Sequence, residues 1–90
     1  MIKYIKFTPE VWEDYEYWQD ENDKIKIKKI RKFIKEIKRT PYTGIGSPEP
    51  LKYSLSGLWS REIDEKHRLV YFIDNDSLII HQCKGHYSDK

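Results

Sequence analysis

What most limits how this chain can fold is a change of hydrophobic period across residues 39–50. Before that stretch, Ile27, Ile30, Phe33, Ile34 and Ile37 recur at intervals of three and four, the spacing of one helix face. From Leu51 onward the period is two, the spacing of a half-buried strand. The segment between them, RTPYTGIGSPEP, holds three prolines and two glycines in twelve residues and reads as a loop. The chain is therefore a helical part followed by a stranded part, and the loop must deliver one to the other.

Local signals fix the elements on either side. Ile2, Tyr4 and Ile5 to Phe7 form a short β-favouring run, stopped by Thr8-Pro9-Glu10, which offers a cap, a proline for the first helical position and an acid for the first turn. In the helix that follows, Trp12, Tyr15 and Trp18, with Val11 beside them, make an aromatic stripe suited to core packing. Asp20 to Asp23 interrupts the pattern, and Asp23 can cap the second helix. Beyond the loop, Ser56-Gly57 is expected to close a tight hairpin between LKYSL and LWSREI. Asp64-Glu65-Lys66 and Asp74-Asn75-Asp76 turn the chain into HRLVYFI and then SLIIHQCKGHY. The expected order is β-α-α-β-β-β-β: an α+β domain over residues 1–90, with an antiparallel sheet packed against a two-helix hairpin.

Charge along the helical hairpin is polarised. Residues 10 to 23 carry seven acids and no base, whereas residues 24 to 39 carry nine Lys or Arg against the single acid Glu36. A cationic helix face suits a polyanionic partner, and it suits plain solvation equally well. The one cysteine, Cys83, admits no internal disulfide and reads as a small apolar residue of the last strand. His67, His81 and His86 share no ligand spacing with it, so no metal site is expected. No glycine-rich loop precedes a helix, which excludes the usual phosphate cradles. No apolar run approaches a membrane span, and the chain opens on Met-Ile-Lys without an apolar leader, so the cytoplasm is the expected compartment.

The chemistry-bearing residues that remain are Glu49, Lys52, Arg61, Arg68, His86 and Tyr87. Glu49 stands between Pro48 and Pro50, and a following proline forces extended geometry on the residue before it. Arg68 and Val70 should share one face of their strand, opposite Leu69 and Tyr71. An acid, an arginine and a histidine fit metal-free RNA cleavage. A base takes the 2′-hydroxyl proton, the freed oxygen attacks phosphorus, cations hold the charge, and an acid protonates the departing 5′-oxygen. Taken singly, each residue also has an ordinary structural reading: a loop acid, half of an ion pair, an exposed histidine.

The motifs GSPEPLK, LSGLWSR, HRLVY and the closing CKGHY resemble the second half of the YoeB/Txe family of toxin-antitoxin toxins, within the RelE-like group. WEDYEYWQ and KKIRKFIKEIKRTP extend the likeness more loosely over nearly the whole chain. The resemblance implies a RelE-like fold and a ribosome-dependent mRNA interferase that works without metal or cofactor and leaves a 2′,3′-cyclic phosphate. It implies Glu49 as general base, Arg68 as stabiliser of the transition state, His86 as general acid and Tyr87 as the residue that positions substrate. Lys52 would assist at the phosphate, with Arg61 as a second phosphate contact.

Implied partners are the ribosome with its A-site mRNA, a second copy in a homodimer, and a YefM/Axe-like antitoxin with an extended acidic segment. Operator DNA would be met only through the antitoxin complex, and no membrane is involved. Different classes of function also fit these residues: a non-catalytic ribosome or RNA binder that stalls translation, or a module acting only within a repressor complex. Two departures from the family pattern, Glu62 and Lys66, flank one turn and are expected to pair across it. The Ser88-Asp89-Lys90 extension adds a carboxylate near His86.

Overall fold

The computed structural model describes residues 1–86. Strand β1 (Tyr4–Phe7) leads into helices α1 (Pro9–Asp20) and α2 (Lys24–Ile37). After the long loop come β2 (Glu49–Pro50), a 3₁₀ turn over Tyr53–Leu55, β3 (Trp59–Glu62), β4 (Arg68–Asp74) and β5 (Ser77–Gln82). Both expected caps are made. The Thr8 side chain accepts from the Val11 N–H with Pro9 in the first turn, and Asp23 accepts from the Lys26 N–H at 3.1 Å.

The five strands lie in the order β1-β5-β4-β3-β2. The expected α+β architecture is present, and the sheet is mixed: β2 to β5 are antiparallel, while β1 runs parallel to β5, with Ile5 opposite Leu78 and Phe7 opposite Ile80. Hairpin turns fix the directions of the last four strands alone. The direction of β1 is set by the helical hairpin, which carries the chain from one edge of the sheet to the other.

Antiparallel register sorts the strand residues into two faces, because directly opposed side chains point the same way. Arg61, Leu69, Tyr71, Leu78 and Ile80 share the face that Val11, Tyr15 and Trp18 of α1 and Ile30, Phe33 and Ile37 of α2 cover. Trp12, at the outer margin of the aromatic stripe, stays half-exposed against Phe7, with ring centroids 5.4 Å apart. Cys83 closes the core as expected. Burial pushes its thiol up to about 12, which makes it unreactive near neutrality.

Two local expectations change. The hairpin between β2 and β3 is not a two-residue turn. It closes where the Leu51 N–H meets the Leu58 carbonyl at 2.9 Å, and the residues between wind through successive i to i+3 bonds, with Tyr53 at φ +56°. Two prolines near the start of this edge strand remove ladder donors, so regular pairing is brief. Nor does Glu62 face Lys66: the register sets Arg68 opposite Glu62, while the Lys66 backbone N–H binds the Asp64 carboxylate at 2.8 Å. The turn is organised by Asp64 rather than by a cross-strand pair.

Candidate active site

Of the candidate residues, Glu49 and Arg68 lie on the sheet face that the helices leave uncovered. Glu49 opposes Ser60, Ser60 opposes Val70, and Val70 opposes Gln82, which makes one row across four strands. Arg68, two residues before Val70, belongs to the same face. Adjacent strands are spaced by about 4.8 Å, so Glu49 and β4 are separated by about 10 Å, a span that two long side chains and a bound phosphodiester can bridge. Ser60, Val70 and Leu51 are buried yet stand outside the helix-side core, so this face has a small apolar base of its own.

Glu49 sits in β2, and its backbone approach is fixed from behind. The loop packs so closely on α2 that a Cβ on Gly46 would lie 2.6 Å from the Phe33 ring, and Gly46 itself adopts φ +80°. Its carbonyl accepts from the Glu62 N–H at 2.8 Å, which ties the loop to the end of β3 just before β2 begins. Lys52 follows as the residue preceding the 3₁₀ turn and is exposed.

Arg61, expected at a phosphate, has another role. It is 0% exposed and alternates with Ser60, so it points into the helix-covered side. Its Nη1 donates to Glu36 Oε1 at 2.5 Å and to the Ile45 carbonyl at 3.1 Å. Its Nη2 reaches the carbonyls of Thr40 at 2.9 Å and Thr43 at 3.0 Å, and its Nε reaches the Tyr71 hydroxyl at 3.1 Å. The Tyr71 hydroxyl in turn donates to the Pro41 carbonyl at 2.6 Å. All of the fork is used to hold the loop, and none is directed to the open face. Glu36 stays ionised readily: the Ile45 N–H, and after it Arg61, hold its carboxyl below the usual range.

Arg68 lies on the open face, and its Nη1 donates to the carbonyls of Asp64 and His67 in the turn. The chain segment bearing His86 is brought to it by a backbone bond, Arg68 N–H to the Gly85 carbonyl at 3.0 Å. His86 is exposed at the end of the described residues, and Tyr87 lies outside them, as does the Ser88-Asp89-Lys90 extension. Glu49 and Arg68 thus share the parity of one sheet face, and the Arg68–Gly85 backbone bond brings the His86 segment to the start of β4.

Sequence reasoning passes over His67 and Gln82. Both bind Gly85, through the Gly85 N–H to His67 Nδ1 at 2.7 Å and Gln82 Nε2 to the Gly85 carbonyl at 2.9 Å. A contact between positions eighteen apart leaves no periodic trace. A groove of about 870 Å³ opens between α2 and the β3–β4 turn. Ile25, Phe33 and Ile45 line its apolar part, Lys28, Lys29 and Lys32 its α2 wall, and Glu62, Asp64, Glu65 and Arg68 the wall formed by the β3–β4 turn.

Comparison with known proteins follows the same contours. A family model described as the YoeB-like toxin of bacterial type II toxin-antitoxin systems matches residues 7–87. Toxin YoeB of Escherichia coli (strain K12) is 56% identical over 81 residues, covering 90% of this chain and 95% of that protein. The YoeB dimer from Staphylococcus aureus superposes with a TM-score of 0.87 at 45% identity, covering 97% of this chain and 100% of that one. The YoeB-YefM complex from Staphylococcus aureus contains a chain with a TM-score of 0.85 at 44% identity, covering 97% and 99%.

Proposed function

This chain belongs to the YoeB-like toxins of bacterial type II toxin-antitoxin systems, and on that premise we propose that it is a ribosome-dependent mRNA interferase, cutting the message in the ribosomal A site by metal-independent acid-base catalysis. The observation that carries the reading is the strand register, with Glu49 and Arg68 on one uncovered face and the His86 segment bonded to the Arg68 backbone.

Glu49 removes the proton of a ribose 2′-hydroxyl, and the resulting oxygen forms a bond to the adjacent phosphorus. Arg68, with Lys52, meets the charge that builds on the non-bridging oxygens. The bond from phosphorus to the 5′-oxygen breaks, His86 supplies that oxygen with a proton, and the products are a 2′,3′-cyclic phosphate and a 5′-hydroxyl. Tyr87, adjoining His86, positions the nucleotide. A free RNA strand samples many backbone shapes, and a ribosome-held codon removes that freedom, which is the physical reason a small open site gains from acting there.

The same family premise supplies the partners. The Staphylococcus aureus relatives form a dimer and a complex with YefM; this chain likewise forms a homodimer and is restrained by a YefM-like antitoxin. The groove beside α2 is apolar along Phe33, cationic on its helix wall and carries Glu62, Asp64 and Glu65 at the turn, so it fits an extended antitoxin segment whose acids lie along the α2 lysines.

The test adds purified protein to programmed ribosomes and maps the 3′ ends of the mRNA, for the wild type and for Glu49→Ala and His86→Ala. Cleavage should fall by roughly 10²- to 10⁴-fold in each variant. Intact message alongside arrested translation would replace the enzyme with a non-catalytic ribosome binder.

A further inference from the structure

Gly85 is the last residue before the proposed general acid, and both of its backbone polar groups are gripped. The His67 imidazole accepts the Gly85 N–H at 2.7 Å, while the Arg68 N–H and Gln82 Nε2 both donate to the Gly85 carbonyl, at 3.0 and 2.9 Å. Gly85 adopts φ +83°, so a side chain there would be strained even though the space around it is open. The far side of the clamp is rigid. The His67 ring meets Trp18 edge-on with centroids 4.8 Å apart, and Trp18 Nε1 donates to the Cys83 carbonyl at 3.0 Å. Helix α1, the β3–β4 turn and the C-terminal segment are thereby joined at one imidazole.

The geometry also fixes the charge of that ring. A backbone N–H can only donate, so Nδ1 must present a lone pair, and the proton of the neutral ring sits on Nε2. We propose that His67 is a positioning residue for RNA cleavage: its neutral imidazole, with Gln82 and the Arg68 backbone, holds the Gly85 backbone on both sides of its Cα and so sets where His86 stands.

This inference rests on the cleavage reading above, and it adds a pH dependence to it. Protonating Nδ1 turns the acceptor into a donor facing a donor, and the grip on Gly85 opens. The charged groups acting on the ring are Asp64 and Lys66 of its own turn, Lys26 of α2 and Lys84 of the C-terminal segment, with Trp18 as the packed wall. Burial, aided by the three lysines, outweighs Asp64 and holds the imidazole below its ordinary value, so the ring is neutral at physiological pH. Cleavage then declines as the pH falls through that lowered range.

Three variants separate positioning from mere packing. His67→Phe keeps a ring against Trp18 without an acceptor, His67→Asn restores an acceptor near the Nδ1 position, and Gln82→Leu removes one of the bonds to the Gly85 carbonyl. On programmed ribosomes, His67→Phe should lower the saturated cleavage rate by about tenfold to a hundredfold, with half-saturation changed by less than about twofold. His67→Asn should recover most of the rate and lose the acid-side decline that His67 contributes. An unchanged rate in His67→Phe, or equal losses in the two His67 variants, would overturn the proposal.

Should His67→Phe fail to fold, Gln82→Leu must show the same drop in rate at unchanged half-saturation. ¹⁵N NMR of the wild type reads the clamp without any activity: at neutral pH, Nδ1 should be unprotonated and the Gly85 amide shifted downfield. That spectrum in a protein that leaves message intact would sink the cleavage reading and spare the clamp. Cleavage by a protein whose Nδ1 is protonated would do the reverse.

Discussion

The two proposed proton-transfer residues stand on segments secured by opposite chemistry. Glu49 ends a long loop tied down by Arg61, a buried guanidinium whose charge is permanent and whose bonds spread over Glu36, Tyr71 and four loop carbonyls. His86 follows a single residue held by the uncharged His67, a side-chain amide and one backbone N–H. One side of the site is distributed and indifferent to ordinary pH. The other is local and titratable, so acid should loosen the site from the His86 side first.

The largest effect should come from breaking the distributed side. Arg61→Ala leaves several loop carbonyls without a donor and opens a void, so unfolding free energy should drop by at least about 3 kcal/mol. At roughly 4 to 8 °C per kcal/mol for a domain of this size, thermal unfolding should show a decrease of about 12 °C or more. Arg61→Lys should recover only a minor part, since a point charge cannot reproduce the fork. A loss within about 1 kcal/mol would mean that the loop is held elsewhere.

A smaller effect should follow from relaxing the last step of that path. Pro50→Ala frees Glu49 from its imposed extended geometry while leaving the Arg61 network intact. Cleavage should slow by about tenfold and at most about a hundredfold, with stability changed by no more than about 1 kcal/mol. Parallel losses of rate and stability would assign Pro50 to folding alone.

The gentlest test is an acid titration followed by amide chemical shifts. His67 is depressed, so the stability its neutral form contributes is complete above the ordinary histidine value of 6.5 and is lost as pH falls from there through the lowered one. Glu36 is depressed too, and its contribution persists until pH falls below the ordinary glutamate value of 4.5 and through its own lowered range. The Gly85 amide should therefore shift before the Ile45 amide, which donates to Glu36 at 2.8 Å. The reverse order would break the contrast between the two sides.

Much of this arrangement is legible in the residues. The three-and-four spacing of Ile30, Phe33 and Ile37, with caps at Thr8 and Asp23, gives the helical hairpin because helix signals are local. The 3₁₀ turn at Tyr53–Leu55 is not legible, since LKYSL alternates like a strand and only its place on a proline-limited edge prevents pairing. Arg61 carries a usable sign: it shares its parity with Trp59 and Ile63, an apolar set, which places it inward. Arg61 and Arg68 look alike in the sequence until parity assigns them to opposite faces. The grip of His67 on Gly85 has no such sign, because it depends on where two distant segments meet.

The parallel pairing of β1 with β5 bears on when this protein can exist as a folded body. Phe7 has no strand partner until Ile80 has been made, and joining them closes a loop of some seventy residues, at an entropic cost of about 4 kcal/mol beyond a constant. β5 is also the strand that unites β1 with the rest of the sheet. A nascent chain can form its two helices early, but the five-stranded sheet is completed only after β5 has been synthesised. A protein proposed to attack translating ribosomes thus lacks its finished sheet for as long as Ile80 has not been made.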